Sequence, residues 1–457
     1  MADLSRETDR ALFGRHEAAA AASEPAGRFA AFSVFRNRDY RYLWVSSALS
    51  FLGMQMQQVG RGLLAWELTH SFTAVGAISL SFGLPMLLFS LVGGAIADRV
   101  NKRNLSLATQ LVTVALAVLT AVLVATDLIT IGYLFAVGLV QGTMFAFNGP
   151  ARSPLMAMVV GPRQLMSAIA MSNAAMNGTR IVGPAVAGAL AAQGLDAVFW
   201  GQAAVYAGAA LALTGVPASR GEPMPLGPGV RRPAVGRQIV DGVRYVAREP
   251  SLRQLMLLAF VPTLFGMPYV MLMPGFVQRD LGQSEAAYGF LLTVSGIGAL
   301  AGSLTLALLA DFRRKPLLQF VTGLASGVSL AALAAAAAAF GYPGALGTTV
   351  VIGFTFTVYQ TLNNTMVMNT AAPEYYGRVM SIYMLTFSAM PLMAAPLGAL
   401  ADVVGASALF VVQGCLVAGG VLAIGLANPR FTFGDAPPSG RAGVPHAGAR
   451  LSMPPGA

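Results

Sequence analysis

The sequence predicts an all-α membrane protein with twelve transmembrane helices in two parallel six-helix halves, and three observations lead there. Of 457 residues, 56% are hydrophobic and only 11% charged, whereas an ordinary soluble domain carries about 25% charged residues. Apolar stretches of about 20 residues, the length a helix needs to cross a bilayer, recur along the whole chain. The second half of the chain repeats the first at a nearly constant offset. These features exclude a soluble enzyme. The single cysteine, Cys415, excludes a fold stapled by intrachain disulfides.

The expected spans cover 43–66, 74–96, 105–126, 129–148, 165–192, 197–216, 254–276, 287–310, 317–340, 345–368, 380–401 and 407–427. Residues 1–34 and 430–457 are rich in Ala, Gly, Pro and Ser and read as disordered tails. They flank an N-terminal half (35–216), a linker (217–253) and a C-terminal half (254–429). Within the linker, SRGEPMPLGPGVRRP is punctuated by Gly and Pro. The following RQIVDGVRYVAREP places Ile239, Val243 and Val246 at helical spacing among charges, which predicts a short helix on the membrane surface.

Orientation follows from the basic residues. With an even number of spans, both tails share a side with the loops after spans 2, 4, 6, 8 and 10. That side holds all of the 29 Lys and Arg except Arg279, which lies opposite, and Arg61 and Arg180, which lie inside spans. The positive-inside rule then places both termini in the cytoplasm. The net charge of +10 is thereby a topological surplus, and no nucleic-acid partner is expected.

The repeat is visible by self-comparison. An offset of 213 lays FLGM (51–54) on LFGM (264–267), Gly76 on Gly289, Gly83 on Gly296 and Ala97-Asp98 on Ala310-Asp311. The diagonal continues through Asn148 and Asn363, Met166-Ser167 and Met380-Ser381, the two GALA runs at 188 and 398, and Gly208 and Gly419. A repeat of an even number of spans keeps its orientation, so the halves are related by an axis along the membrane normal, with a site between them near the midplane.

Between spans 2 and 3 stands GGAIADRVNKRN (93–104), with the pattern G-x-x-x-D-R-x-x-K-R. This resembles the loop 2–3 signature of the major facilitator superfamily, and the resemblance extends over the twelve spans and the linker. It implies a gating role for Gly94, Asp98, Arg99, Lys102 and Arg103 through an ion-pair network near span 11. The equivalent loop of the second half keeps Asp311, Arg313, Arg314 and Lys315, but Ala307 and Phe312 replace the glycine and arginine, which implies a weaker gate. Span 5 carries NGTRIVGPAVAGAL (177–190), where Gly183 and Pro184 combine close helix approach with a kink. It is similar to the span 5 signature of superfamily exporters, with Ala187 in place of a glycine. NGPARSPL (148–155), VGPRQLMSA and DGVRYVAREPSLR resemble segments of the bacterial subgroup that includes enterobactin exporters and macrolide-efflux proteins.

Polar side chains inside spans are costly, and therefore informative. The resemblance implies that spans 1, 4, 7 and 10 line the central cavity. The candidate cavity residues are Gln58, Arg61, Asn148, Arg180, Tyr269, Tyr359 and Asn363, each of which serves equally well as a helix–helix hydrogen bond. Two buried arginines without a buried carboxylate point to an anionic or polar solute. No Asp or Glu lies near the centre of a span, so Glu67, at the end of span 1, is the candidate for proton coupling. Met54, Met56, Met144, Met267, Met271 and Met273 offer adaptable apolar surface.

Other chemistry is not indicated. There is no G-x-x-x-x-G-K-[ST] loop, and His16, His70 and His446 are too scattered for a metal. Neither enzyme activity nor a cofactor is expected. The expectation is a monomer in the bacterial inner membrane that exports a small amphipathic molecule (drug, siderophore or metabolite) in exchange for protons. Uptake by the same fold and a non-transporting sensor stay open as alternatives.

Overall fold

The computed structural model describes residues 30–222, 235–309, 312–372 and 375–433, and these form helices and connections with no strand among them. The helices are α1 (Arg38–Thr69), α2 (Phe72–Arg99), α3 (Lys102–Ala125), α4 and α5 (131–160 and 162–191), α6 (Leu195–Thr214) and α7 (Val235–Arg248). There follow α8 (Pro250–Asp280), α9 (Glu285–Leu308), α10 and α11 (315–340 and 342–370), α12 (Tyr376–Ser388), α13 (Met390–Val404) and α14 (Ala406–Ala427). Most of the two expected tails, linker residues 223–234 and Asp311 lie outside the described residues.

Eight described helices are long and apolar enough to cross a membrane, two of them of double length. Those two, 131–191 and 315–370, break at Gly161 (φ 70°) and Gly341 (φ 62°). Such positive φ values suit glycine, and Pro162 and Pro343 just beyond lack the N–H that a continuing helix would use. Expected span 1 is helical throughout but less apolar, because it carries Gln55, Gln57, Gln58 and Arg61. Expected span 11 is divided at Ala389 into α12 and α13.

Helix starts are set by polar caps. The side chains of Asn37, Ser71, Asn101, Thr130 and Ser284 accept hydrogen bonds from the first free N–H groups of α1, α2, α3, α4 and α9. One end of the bundle, here the terminal end, carries residues 37, 101 and 161. The far end carries residues 70, 194 and 405.

In the first half α1 packs on α6 and on the 131–191 pair, and α3 packs on α4 and α6. In the second half the 315–370 pair packs on α9 and α14. The linker segment expected to be helical forms α7, which is seated on the second half along one side. Gly242 lies against Arg378 and Ile382 of α12, and the Tyr245 ring stacks on Tyr375 at 4.1 Å. Val243 stays exposed.

The two halves meet along α2–α13 and α5–α9, tightly toward the far end. There Gly188 and Gly289 bring the backbones of α5 and α9 together: a Cβ on Gly289 would sit 2.4 Å from the Gly188 Cα. Likewise a Cβ on Gly76 would sit 2.3 Å from the Ala394 carbonyl oxygen. The π-turn of α8 at Phe276–Asp280 carries Arg279, whose guanidinium lies over the Phe72 ring at 5.4 Å. At the terminal end the contact between halves thins to an encounter of α2 with α12. Among the described residues the two halves therefore meet closely at the far end and less closely at the terminal end.

Candidate functional site

A cavity of about 250 Å³ lies between the halves. The first half contributes Gln55, Gln58 and Val59 from α1 and Arg180 and Pro184 from α5. The second contributes α8 around Met267 and Tyr269, α9 around Ser295, and α11 from Ile352 to Gln360. α8 is bent at this point by a π-turn over Pro262–Gly266, whose widened backbone exposes Gly266 and Met267 to the cavity. Among the described lining residues none is acidic and Arg180 is the one cation. Such a chamber suits a solute with an apolar body and a polar or anionic group.

Of the expected cavity residues, Gln58, Arg180 and Tyr269 line this space. The other four are placed elsewhere. Tyr359 and Asn363 are buried and turn toward α8, where the Tyr359 hydroxyl donates to the Leu258 carbonyl and the Asn363 side chain donates to the Leu255 carbonyl at 3.0 Å. The reason lies in the sequence of α8: Pro262, four residues after Leu258, has no N–H, so that carbonyl needs another donor. Replacing Tyr359 by phenylalanine strips this donor and is expected to cost about 1–3 kcal/mol of stability. Thermal unfolding should show the loss, with the KM of transport unchanged; a raised KM with intact stability would return Tyr359 to the cavity.

Arg61 and Asn148 belong to the interior of the first half. The Arg61 guanidinium lies 4.9 Å over the Phe82 ring, and its Nη1 is buried without a partner among the described residues. Beside it Gln57 donates to Gln141 and accepts from Gln202 at 3.2 Å and Tyr206 at 3.3 Å. The polar stripe expected on α1 is thus split, with Gln55 and Gln58 facing the second half and Gln57 and Arg61 facing inward. The methionines divide too: Met267 lines the central cavity, Met54 and Met144 line a chamber in the first half, and Met56 and Met273 are core.

The expected gate residues are partly described. Gly183 packs against Gln55 of α1, and Pro184 faces the cavity. Arg103 caps the C-terminus of α6 within its own half, donating to the carbonyls of Val216 and Thr214 at 3.2 Å each. Lys102 is buried and Arg99 exposed. Gly94 and Asp98 fall in α2 at positions whose side chains lie outside the described set.

A closing contact that the sequence reading did not single out lies at the far end. Asp402 of α13 accepts from the Ser71 hydroxyl (2.7 Å), the Phe72 N–H (2.8 Å), and the Thr73 N–H (2.9 Å) and hydroxyl (2.6 Å). A carboxylate on a helix N-terminus is held by free N–H groups and by the helix dipole. Partial burial pushes the Asp402 carboxyl up, but these hydrogen bonds outweigh it and hold it below the usual carboxylate range. Only the residue type and its position after the last apolar turn of α13 hinted at this in the sequence.

A family model described as a transmembrane secretion effector matches residues 29–452. The chain is 24% identical over 394 residues to the Staphyloferrin A transporter of Staphylococcus aureus, covering 82% of this chain and 92% of that protein. It is 28% identical over 360 residues to the multidrug efflux pump Tap of Mycolicibacterium fortuitum, covering 75% and 85%. Its fold is similar to the crystal structure of a POT family transporter in complex with 5-aminolevulinic acid, with a TM-score of 0.66 at 12% identity over 87% of this chain and 97% of the other. By these matches, and by its all-helical fold with a cavity between two helix sets, the chain belongs to the transmembrane secretion effector family of major facilitator transporters.

Proposed function

We propose that this transporter exports a small amphipathic solute carrying a polar or anionic group, by alternating access coupled to protons, from the bacterial cytoplasm. The observation that carries the reading is the cavity lined by both halves, sealed toward the far end by α2–α13 and α5–α9 and holding Arg180 without an acidic neighbour in its lining. With the termini in the cytoplasm, the sealed end is the outer one and this is the inward-facing state. The segments 35–216 and 254–429 then rock against each other about the central cavity. The family description and the efflux-pump relative support the direction.

Glu67 stands at the outer rim, just beyond expected span 1. Burial, then the negative charge of Glu285, raise its carboxyl above the ordinary value, and His70 offsets this in part. Glu285 belongs to the second half, so opening the outer end separates and hydrates the two carboxyls. Closure therefore favours protonated Glu67. Its contribution is fully present below the ordinary carboxylate value and is lost as pH rises through the raised value. Asp402 works the other way: its lowered carboxyl supports closure at all pH above the ordinary carboxylate value and loses that support only as pH falls through the lowered one. In Glu67→Gln the rate of transport should lose its dependence on outer pH within the Glu67 window; an unchanged pH profile would remove Glu67 from the coupling.

The function is tested by flux in proteoliposomes with an imposed pH gradient, against a panel of cationic, neutral and anionic amphiphiles. Gradient-driven accumulation of at least one polar or anionic member is expected. Accumulation indifferent to the gradient would overturn proton coupling, and no flux of any member would overturn transport of this class.

A further inference from the structure

A second space, larger than the central cavity, lies elsewhere among the described residues. A chamber of about 540 Å³ lies inside the first half, walled by α1, α3, α4, α5 and α6, within the range of pockets that enclose a drug-sized molecule. By its sequence Arg152 is a loop charge that sets topology, because expected span 4 ends at 148. In the structure α4 continues to residue 160 and carries Arg152 into the chamber wall.

Arg152 donates through Nη2 to the Ser46 hydroxyl at 2.9 Å. Its Nε is buried and has no partner among the described residues, and the same holds for the neighbouring acceptor Asn148 Oδ1. Among the described residues lining the chamber none is acidic. A buried cation without a counter-charge costs several kcal/mol, so the chamber favours a ligand that brings the negative charge. Beyond Arg152 the wall turns apolar, with Phe51, Met54, Met144, Phe145 and Ile169. From Arg152 to Gln141, at the opposite limit of the chamber, α4 rises eleven residues, about 16 Å.

We propose that this chamber is a second binding site, separate from the cavity between the halves, for a single-chain amphiphile with an anionic head. The head sits on Arg152 toward the terminal end, and the chain lies along Phe51, Met144 and Phe145. The ligand is either a free anionic amphiphile from the aqueous side or a single-chain anionic lysolipid from the bilayer, since both present the same chemistry.

The probe is laurate, with dodecanol as its uncharged control, measured by equilibrium binding to the full-length protein in phosphatidylcholine nanodiscs. Laurate is expected to bind at least tenfold more tightly than dodecanol. Arg152→Gln should remove that preference. Gly149→Trp should block binding of both by filling the chamber, since a Cβ at Gly149 meets nothing within 4 Å. In the Arg180→Gln background, which removes the cation of the central cavity, the preference for laurate over dodecanol should persist and should be lost on adding Arg152→Gln, which separates this site from the central one and keeps the result independent of whether transport is observed. Adding lysophosphatidylglycerol to the nanodiscs distinguishes the sources: competition with laurate identifies the lipid, and undiminished laurate binding identifies the free amphiphile. Equal binding of laurate and dodecanol, or laurate affinity unchanged within twofold in Arg152→Gln, overturns the proposal.

Discussion

Gly289→Leu is expected to arrest transport with the outer end held open. In the closed state a Cβ at this position would meet the Gly188 Cα at 2.4 Å, the Pro184 carbonyl oxygen at 2.8 Å and the Gly188 nitrogen at 2.9 Å. All three are backbone atoms, so no side-chain rotation relieves the overlap, and α5 and α9 must separate. Overpacking of this kind costs about 1–3 kcal/mol or more, which biases the closed state by about five- to 150-fold. Turnover should fall below about a tenth of wild type, with the protein still folded. Gly178→Leu is the control, because a Cβ there meets nothing within 4 Å, and it should transport within twofold of wild type. Normal turnover in Gly289→Leu would show that α5 and α9 do not form the outer seal.

The second large effect is expected at Arg180. A hydrogen bond to a charged group contributes about 1.5–3 kcal/mol, so Arg180→Gln should weaken an anionic substrate by about 10- to 150-fold. Neutral amphiphiles of the same size should be affected by less than about threefold. The comparison is made by flux competition in proteoliposomes across the charge series. Equal losses for anionic and neutral solutes would mean that Arg180 serves packing alone.

Much of this architecture was legible from the chain. Hydropathy located the apolar helices and set a connection between expected spans 4 and 5, where the structure breaks the helix at Gly161. The motif in loop 2–3 and the Gly-Pro kink in α5 pointed to the superfamily, which the family match bears out. The site was legible in part, and the failures have physical causes. Whether a polar residue on a helix faces a cavity or a neighbour depends on rotation angle: Gln57 and Gln58 are adjacent in sequence and point to different chambers. Tyr359 and Asn363 resembled cavity residues because the need they meet, a carbonyl orphaned by Pro262, lies on another helix. Asp402 meets residues 71–73 across some 330 positions of sequence, a distance over which no local pattern operates. Arg152 was hidden by the length of α4, since a charge four residues past an apolar run reads as a loop charge.

The central claim is that the two halves rock about a cavity that is closed outside in the state described. It is tested most directly by paired spin-label distances in one protein, after Cys415, which is free and exposed, is replaced by serine. One pair joins the halves at the outer end, Leu128→Cys with Phe340→Cys. The other joins them at the terminal end, Met166→Cys with Leu308→Cys; all four positions are exposed. When substrate and outer pH are varied, the outer distance should lengthen as the terminal distance shortens, and Gly289→Leu should hold the long outer distance throughout. Two distances that change together, or that do not change under any condition in which flux is measured, would contradict the account.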